Sequence, residues 1–276
     1  MTRNVIFSDL DGTLLDPDTY AFNAALPALR LIASQDIPLV ICSSKTRPEI
    51  ESIRSALGNR DPFVSENGGA AFIPEGMFDD VPGGKRIAGY AAVEWGRPYA
   101  VLREALAAAR ARTGAVLSGY GDKTVEEIMR ETGLDRESAR SSKQREYDEP
   151  FTSSSGEACI PDVVSAVKEF GLRVVCGGRY FHLMGENDKG RAVRYLADLY
   201  RRKTGPIRTI GLGDSDNDVS LLQSVDVPIL VRRHDGTFAK TPPLPGLIRT
   251  RSIGPLGWNE AVLGIIGTGR SSTTNA

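Results

Sequence analysis

Two aspartates lie two residues apart at the end of an apolar run in residues 5–16, VIFSDLDGTLLD. The run at residues 5–7 is typical of a buried β-strand, and Gly12 lets the backbone leave the sheet sharply. Side chains two residues apart on a strand point to the same face, so we expect Asp9 and Asp11 to share one site. Such carboxylates repel each other unless a cation or a shared proton offsets their charge. The pair therefore predicts a metal ligand, a nucleophile or an acid–base group.

A second acidic cluster follows another apolar strand in residues 209–222, TIGLGDSDNDVSLL, which contains Asp214, Asp216 and Asp218. Open α/β sheets bind ligands beyond the carboxyl ends of their strands, so the two clusters can meet there. Facing carboxylates, with backbone carbonyls and water, suit Mg²⁺. GLGDSD lacks the third glycine of a dinucleotide fingerprint, and the sequence has no Gly-x4-Gly-Lys-Ser/Thr loop. The prediction is a magnesium site, although Asp216 is equally well explained as a first-turn charge of the following helix.

Phosphate-binding groups lie between the two acidic clusters. Ser43 and Ser44 end a predicted strand and precede a helix in CSSKTR, and Lys189 opens a helix in NDKGR. Hydroxyls, free backbone amides and a lysine are the groups that bind a phosphate. A lysine in the first turn of a helix opposes the helix dipole, and a bound phosphate would reverse that penalty. Either serine can supply the hydroxyl.

Apolar strands alternate with amphipathic helices along the chain, which predicts an α/β fold with a doubly wound parallel sheet. The pattern loosens after about residue 82 and resumes at the lysine motif. We therefore predict a catalytic core of residues 1–82 and 187–276, interrupted by an α+β domain at residues 83–186. The insertion includes a predicted hairpin, LRVVCGGRYFHLMG, that turns at residues 177–178. The tail at residues 267–276 is predicted to be disordered.

Four pieces of the sequence, taken in order, resemble the motifs of the haloacid dehalogenase superfamily of phosphohydrolases. They are Asp9-x-Asp11-Gly-Thr13, the hydroxyl at Ser43, Lys189, and the stretch GDSDND. The resemblance implies that Asp9 attacks phosphorus and becomes an aspartyl phosphate. It also implies that Asp11 protonates the leaving oxygen and then activates water. Ser43 and Lys189 would hold the transferring phosphoryl group.

The same resemblance implies Mg²⁺ as the cofactor. The ion would be held by Asp9, the backbone carbonyl of Asp11, and Asp214. Asp218 belongs to the same predicted metal site, where it would orient the waters of the ion. Thr13, in the first motif, is assigned to phosphate binding.

Further stretches resemble the mannosyl-3-phosphoglycerate phosphatases, namely SSKTR, SENGG, REYDEPF and FHLMG. In that family a type C2 cap, inserted before the lysine motif, covers the site and selects the substrate. The resemblance implies that the partner is a small phosphorylated glycoside, hydrolysed to mannosylglycerate, a compatible solute. Arg145, Arg179 and His182 are candidate contacts to the glycerate and the sugar. Glucosyl-3-phosphoglycerate, another sugar phosphate, or a phosphomutase reaction of the same superfamily stays open.

The composition argues against other classes of protein. The chain has 276 residues, 34 of them basic and 35 acidic, so no polybasic surface for nucleic acid or a membrane is expected. It has no apolar run long enough to span a bilayer and enters a strand at once, which predicts a cytoplasmic protein. Three widely spaced cysteines argue against a zinc site or a disulfide framework. A phospho-aspartate receiver needs no insertion of this size. The sequence leaves the oligomeric state undefined.

Overall fold

The computed structural model describes residues 2–176 and 180–267. The strands in these ranges are β1 (Arg3–Ser8), β2 (Leu39–Cys42), β3 (Phe63–Ser65), β4 (Ala70–Pro74), β5 (Lys85–Ile87), β6 (Tyr90–Glu94), β7 (Leu117–Gly119), β8 (Asp148–Ser153), β9 (Arg173–Cys176), β10 (Phe181–Met184), β11 (Ile207–Gly213), β12 (Val227–Arg232) and β13 (Ile248–Ile253). The α-helices are α1 (Leu26–Ser34), α2 (Arg47–Leu57), α3 (Tyr99–Thr113), α4 (Val125–Thr132), α5 (Arg136–Ser142), α6 (Ile160–Val167), α7 (Lys189–Thr204), α8 (Val219–Leu222) and α9 (Gly254–Gly267).

The larger sheet has the strand order β13-β12-β11-β1-β2-β3-β4-β6-β5. The strands from β13 to β3 are parallel, and β4, β6 and β5 extend the sheet in antiparallel pairing. Val5, Ile6 and Phe7 of β1 are all fully buried. A parallel strand that is covered on both faces is apolar along its whole length, which explains this run.

Helices cover both faces of this sheet. Ile6 packs in one cluster with Ile32 of α1 and Val262 of α9. Phe7, which points to the opposite face, packs with Leu196 of α7 in the other cluster. Alternate residues of β1 thus serve two hydrophobic layers, and the predicted doubly wound α/β fold is confirmed.

A second, smaller sheet lies in the middle of the chain. Its strand order is β7-β8-β10-β9, and its pairs are antiparallel. Leu106 of α3 and Val163 of α6 pack with Phe151 of β8 in a separate hydrophobic cluster. This is the predicted α+β insertion. We call residues 99–184 the cap, and the remainder of the described chain the core.

We propose a boundary between core and cap that lies after the predicted one at residue 83. Strands β5 and β6 pair with β4 in the larger sheet. The ring of Tyr90 packs edge-on against Phe63 and Phe72, with centroids 5.3 and 5.8 Å away. The glycines of VPGGKRIAG therefore connect strands of the core, because burial of these rings favours a hairpin there. We propose that the core continues through β6, which ends at Glu94, before the chain crosses to the cap.

Parts of the predictions lie outside the described residues. These are the hairpin turn at residues 177–178, the candidate residue Arg179, and the tail beyond Gly267. Within the described ranges, no helix combines the length and the apolar character needed to cross a membrane.

Candidate active site

Three parallel strands of the core end at the same edge of the sheet. β1 pairs with β11 on one side and with β2 on the other. Asp9 follows β1, Ser43 follows β2 and Asp214 follows β11. The topology therefore brings the first acidic pair, the serine pair and the second acidic cluster together, as the sequence predicts.

Lys189 lies between two carboxylates. Its Nζ is 2.7 Å from Asp9 Oδ1 and 2.6 Å from Asp218 Oδ1. Asp9 is 5% exposed and Lys189 1%. Burial, together with the charges of Asp218 and Asp214, raises the pKa of Asp9 well above its ordinary value, while Lys189 opposes that shift. Burial acts to lower the pKa of Lys189, but the two carboxylates outweigh it and raise that pKa. The site thus holds a cation where a phosphoryl group would need one.

Asp214 completes the acidic group. Thr13 Oγ1 donates a hydrogen bond of 3.2 Å to Asp214 Oδ1. Burial, and then the charge of Asp218, raises the pKa of Asp214 to about 7. Gly12 has a φ of +75°, and a Cβ there would lie 2.7 Å from Asp214 Oδ2. A side chain at position 12 would therefore be strained in its backbone and would displace the Asp214 carboxylate.

Asp218 stabilises the loop that carries Asp214. Its Oδ2 accepts hydrogen bonds from the backbone N–H groups of Asp214 and Ser215, at 3.1 and 3.0 Å, and from Ser215 Oγ at 3.0 Å. Its Oδ1 accepts from Lys189. Oxygens of Asp9, Asp214 and Asp218 lie within 4.8 Å of one another. Since Asp218 is already engaged by these donors, we propose that it positions the site while Asp9 and Asp214 offer oxygens to a cation.

Asp11 pairs with a lysine that the sequence analysis did not single out. Lys45 Nζ is 3.0 Å from Asp11 Oδ2. Asp11 Oδ1 is buried and has no hydrogen-bond partner among the described residues. The second carboxylate of the motif therefore has its own cation, separate from the Lys189 pair.

The two candidate serines have different surroundings. Ser43 is 1% exposed, and its Oγ accepts a 3.2 Å hydrogen bond from the backbone N–H of Lys45. Ser44 lines the cleft above Asp9. The choice between them as the phosphate-binding hydroxyl stays open.

A cleft of about 1170 Å³ lies between core and cap. Asp9, Asp11, Lys189 and Asp214 lie on its core side, and strands β9 and β10 form its cap side. On the cap side, His182 Nδ1 is 2.7 Å from Oδ2 of the buried Asp148. Arg173 also lines the cleft, and its guanidinium donates to the carbonyls of Gly185 and Asn187.

Arg145 lies behind the cleft wall and is not among the residues that line it. Its side chain is 7% exposed. Nε donates to the Ser142 carbonyl at 2.8 Å, and Nη1 donates to the Ser44 carbonyl at 3.0 Å. The structure therefore places Arg145 between cap and core, and its predicted substrate contact stays a prediction.

Glu66 links the core to a middle stretch of the cap. Its carboxylate accepts hydrogen bonds from the backbone N–H groups of Glu146 and Tyr147, both at 2.9 Å. Asn187 Nδ2 donates to the Glu66 carbonyl at 2.8 Å and to the Tyr147 carbonyl at 2.9 Å. The stretch SENGG carries Glu66 in the sequence, but nothing in the spacing identifies its partners.

Comparison with known proteins agrees with this geometry. A family model described as haloacid dehalogenase-like hydrolase matches residues 6–78. A relative from Methanococcoides burtonii, named glucosyl-3-phosphoglycerate/mannosyl-3-phosphoglycerate phosphatase, is 43% identical over 96% of this chain and 98% of its own length. The mannosyl-3-phosphoglycerate phosphatase of Pyrococcus horikoshii is 35% identical over 82% of this chain and 90% of its own length. The chain belongs to the haloacid dehalogenase superfamily.

Within that superfamily it belongs to the mannosyl-3-phosphoglycerate phosphatase family, and it is a phosphoric monoester hydrolase. A solved haloacid dehalogenase superfamily phosphatase from Bacteroides thetaiotaomicron shares the fold. It has a TM-score of 0.63 and 15% identity, and the match covers 96% of each chain. The predicted family and enzyme class are confirmed.

Proposed function

We propose that this haloacid dehalogenase phosphatase hydrolyses mannosyl-3-phosphoglycerate to mannosylglycerate and phosphate. The observation that carries the proposal is the cleft, because it joins the Asp9–Lys189 pair to cap residues with polar groups suited to a sugar and a carboxylate. The names of the relatives point to the same substrates. Glucosyl-3-phosphoglycerate is the alternative, since one relative is named for both.

The reaction follows from the two aspartates of the first motif. A carboxylate oxygen of Asp9 bonds to phosphorus as the bond from phosphorus to the glycerate oxygen breaks, and Asp11 gives that oxygen its proton. Water then attacks the phosphorus of the aspartyl phosphate and passes a proton to Asp11. The bond between Asp9 and phosphorus breaks, and inorganic phosphate leaves.

Several groups of the core offset the negative charge of the phosphoryl group. Lys189 lies 2.7 Å from Asp9 and can hold an oxygen of the phosphate beside it. The buried, mutually repelling carboxylates of Asp9 and Asp214 suit a hard divalent cation, as their raised pKa values indicate. Asp9, Asp214 and the Asp11 backbone carbonyl would hold Mg²⁺. When bound, the ion would supply positive charge to the phosphoryl oxygens.

The cap would recognise the rest of the substrate. Asp148 pairs with Nδ1 of His182, which leaves Nε2 for a hydrogen bond with a sugar hydroxyl. Arg173 brings a positive charge to the same wall and suits the glycerate carboxylate. We assign that carboxylate to Arg173, since Arg145 lies behind the wall.

Phosphate release with Mg²⁺ tests the substrate. The panel is mannosyl-3-phosphoglycerate, glucosyl-3-phosphoglycerate, 3-phosphoglycerate and mannose phosphates. We expect the highest kcat/KM for a glycosyl compound. Faster hydrolysis of a simple phosphate than of both glycosyl compounds would overturn the substrate while leaving the phosphatase chemistry intact. Conversion to an isomeric sugar phosphate without net release of inorganic phosphate, dependent on an added sugar bisphosphate, would indicate a phosphomutase instead.

A cap variant tests the recognition. His182→Gln should lower kcat/KM for the glycosyl compound by about threefold to tenfold, the worth of one hydrogen bond, and leave 3-phosphoglycerate nearly unaffected. Lys168→Gln, on the 3-10 helix after α6, is the control and should leave kcat/KM unchanged for both substrates. Equal losses on both substrates would argue against a sugar contact.

The product would act as a compatible solute, and the cytoplasmic location stays a prediction.

A further inference from the structure

The ion pair between Lys45 and Asp11 is built into the loop that follows β2. The backbone N–H of Lys45 donates to Ser43 Oγ at 3.2 Å, and its carbonyl accepts from the backbone N–H of Glu66 at 3.0 Å. The Lys45 side chain is 11% exposed. The lysine is therefore anchored by its backbone on both sides before its ammonium group reaches Asp11.

A strained tyrosine covers the same ammonium group. The Lys45 Nζ lies 4.6 Å from the centre of the Tyr20 ring. Tyr20 has a φ of +57°, in the left-handed region that bulky residues rarely adopt. Strain of this kind persists where the surrounding structure requires it. Here it places an aromatic face against the cation that pairs with Asp11.

The carboxyl group of Asp11 depends on this cation for its orientation. Asp11 Oδ2 is 3.0 Å from Lys45 Nζ, while Oδ1 has no hydrogen-bond partner among the described residues. Lys45 itself is not among the residues that line the cleft. The lysine therefore acts on Asp11 from behind rather than on the substrate.

We infer that Lys45 is a positioning residue that holds Asp11 in place as the general acid for the leaving group. The inference rests on the proposed role of Asp11 in the reaction. A general acid must lie within hydrogen-bond reach of the oxygen that it protonates. Without Lys45, the carboxyl group would rotate among other orientations, and protonation of the leaving oxygen would slow.

Two esters of nearly the same shape separate this effect from a general loss of activity. 4-Nitrophenyl phosphate releases a phenolate that is stable without a proton, whereas phenyl phosphate releases a more basic one. The kcat/KM value reports the steps up to departure of the leaving group, and the ratio of the two values for one preparation is independent of its folded fraction.

Lys45→Met should raise the ratio of kcat/KM for 4-nitrophenyl phosphate to that for phenyl phosphate by about fivefold or more. That is part of the roughly 10²- to 10⁴-fold that a general acid contributes. Lys45→Arg should keep the ratio near that of the wild type. Lys85→Met removes another lysine ion pair, to Glu94 at 3.0 Å, and should leave the ratio unchanged. Lys45→Gln makes the same comparison if the methionine variant does not fold.

Asp11→Asn separates failure of this inference from failure of the proposed function. It should raise the ratio more than Lys45→Met does. An unchanged ratio in Asp11→Asn would overturn the general-acid role itself. A raised ratio in Asp11→Asn with equal losses on both esters, or no loss, in Lys45→Met or Lys45→Gln would overturn the positioning role alone.

Discussion

Substitution of Glu66 should change how the stability of the protein depends on pH. The Glu66 carboxylate is fully buried and accepts the backbone N–H groups of Glu146 and Tyr147. Burial raises its pKa from 4.5 to about 8, although Arg145 and the two amides oppose that shift. In the unfolded chain the group loses its proton near pH 4.5. Between these values the folded protein holds a proton that the unfolded chain has lost.

The sign and size of the effect follow from this difference. A group whose pKa is raised by folding stabilises the folded protein fully at pH values below its unfolded-state pKa. This contribution to stability is lost as the pH rises through the folded-state pKa. Each pH unit in the interval changes the free energy of unfolding by about 1.4 kcal/mol. From pH 5.5 to 7.5 the contribution of Glu66 should therefore fall by about 3 kcal/mol. Glu66→Gln, which does not titrate, should lack this decline.

Urea unfolding of wild type and variant at several pH values measures the effect. The difference in unfolding free energy between them cancels all other titrating groups. Glu75→Gln is the control, because Glu75 is exposed and pairs with Arg86 at 2.8 Å on the surface. The free energy of unfolding of Glu75→Gln should stay within about 1 kcal/mol of the wild-type value at every pH. A constant difference in unfolding free energy between Glu66→Gln and the wild type across this range would contradict the assigned titration of Glu66.

Three further substitutions address the site itself. Asp9→Asn should abolish turnover and keep the fold, because an amide is a poor nucleophile of the same volume; phosphate release above about a hundredth of the wild-type rate would contradict this. Asp214→Asn should move the Mg²⁺ requirement to much higher concentrations in a metal titration, and full wild-type activity in excess chelator would refute the metal site. Arg145→Ala should lower the free energy of unfolding by about 3–5 kcal/mol, because it removes a buried guanidinium and leaves its partners unpaired. For the same reason it should slow the hydrolysis of large and small phosphate esters alike. A selective loss on glycosyl substrates would show instead that Arg145 reaches the substrate.

The meeting of the two acidic clusters could be predicted from sequence because it depends on strand ends. The alternation of strands and helices fixes which strand ends share an edge, and Asp9 and Asp214 follow two such strands, whereas Lys189 begins helix α7. Local signals can also be recognised in the sequence where they are self-contained. The capping box of Thr46 and Glu49 begins α2, and Gly58, with a φ of +64°, ends it.

The residues that sequence reasoning missed depend on partners far along the chain. Nothing local shows that Lys45 pairs with Asp11 or that Arg145 is buried against the Ser44 carbonyl. Helix α9 is similar, because its glycines oppose a helix, yet its fully buried Trp258 packs on the core and donates to Ser8 Oγ at 3.0 Å. In α9, tertiary contacts overrode the local preference against a helix.

The attachment of Tyr147 limits how the cap can move. The chain crosses between core and cap twice, near residues 95–98 and 185–188. A cap joined only by two such crossings could rotate about them as a hinge. Tyr147 adds a third connection between core and cap, because its side chain packs directly against Gly69 and Gly96. A Cβ at Gly69 would lie 2.5 Å from the Tyr147 Cβ, and a Cβ at Gly96 would lie 2.6 Å from it. The cap is thus attached to the core along one side, by the two crossings and by Tyr147. We therefore expect substrate entry and phosphate release to require movement at the opposite side of the cap, where β9 and β10 face the cleft.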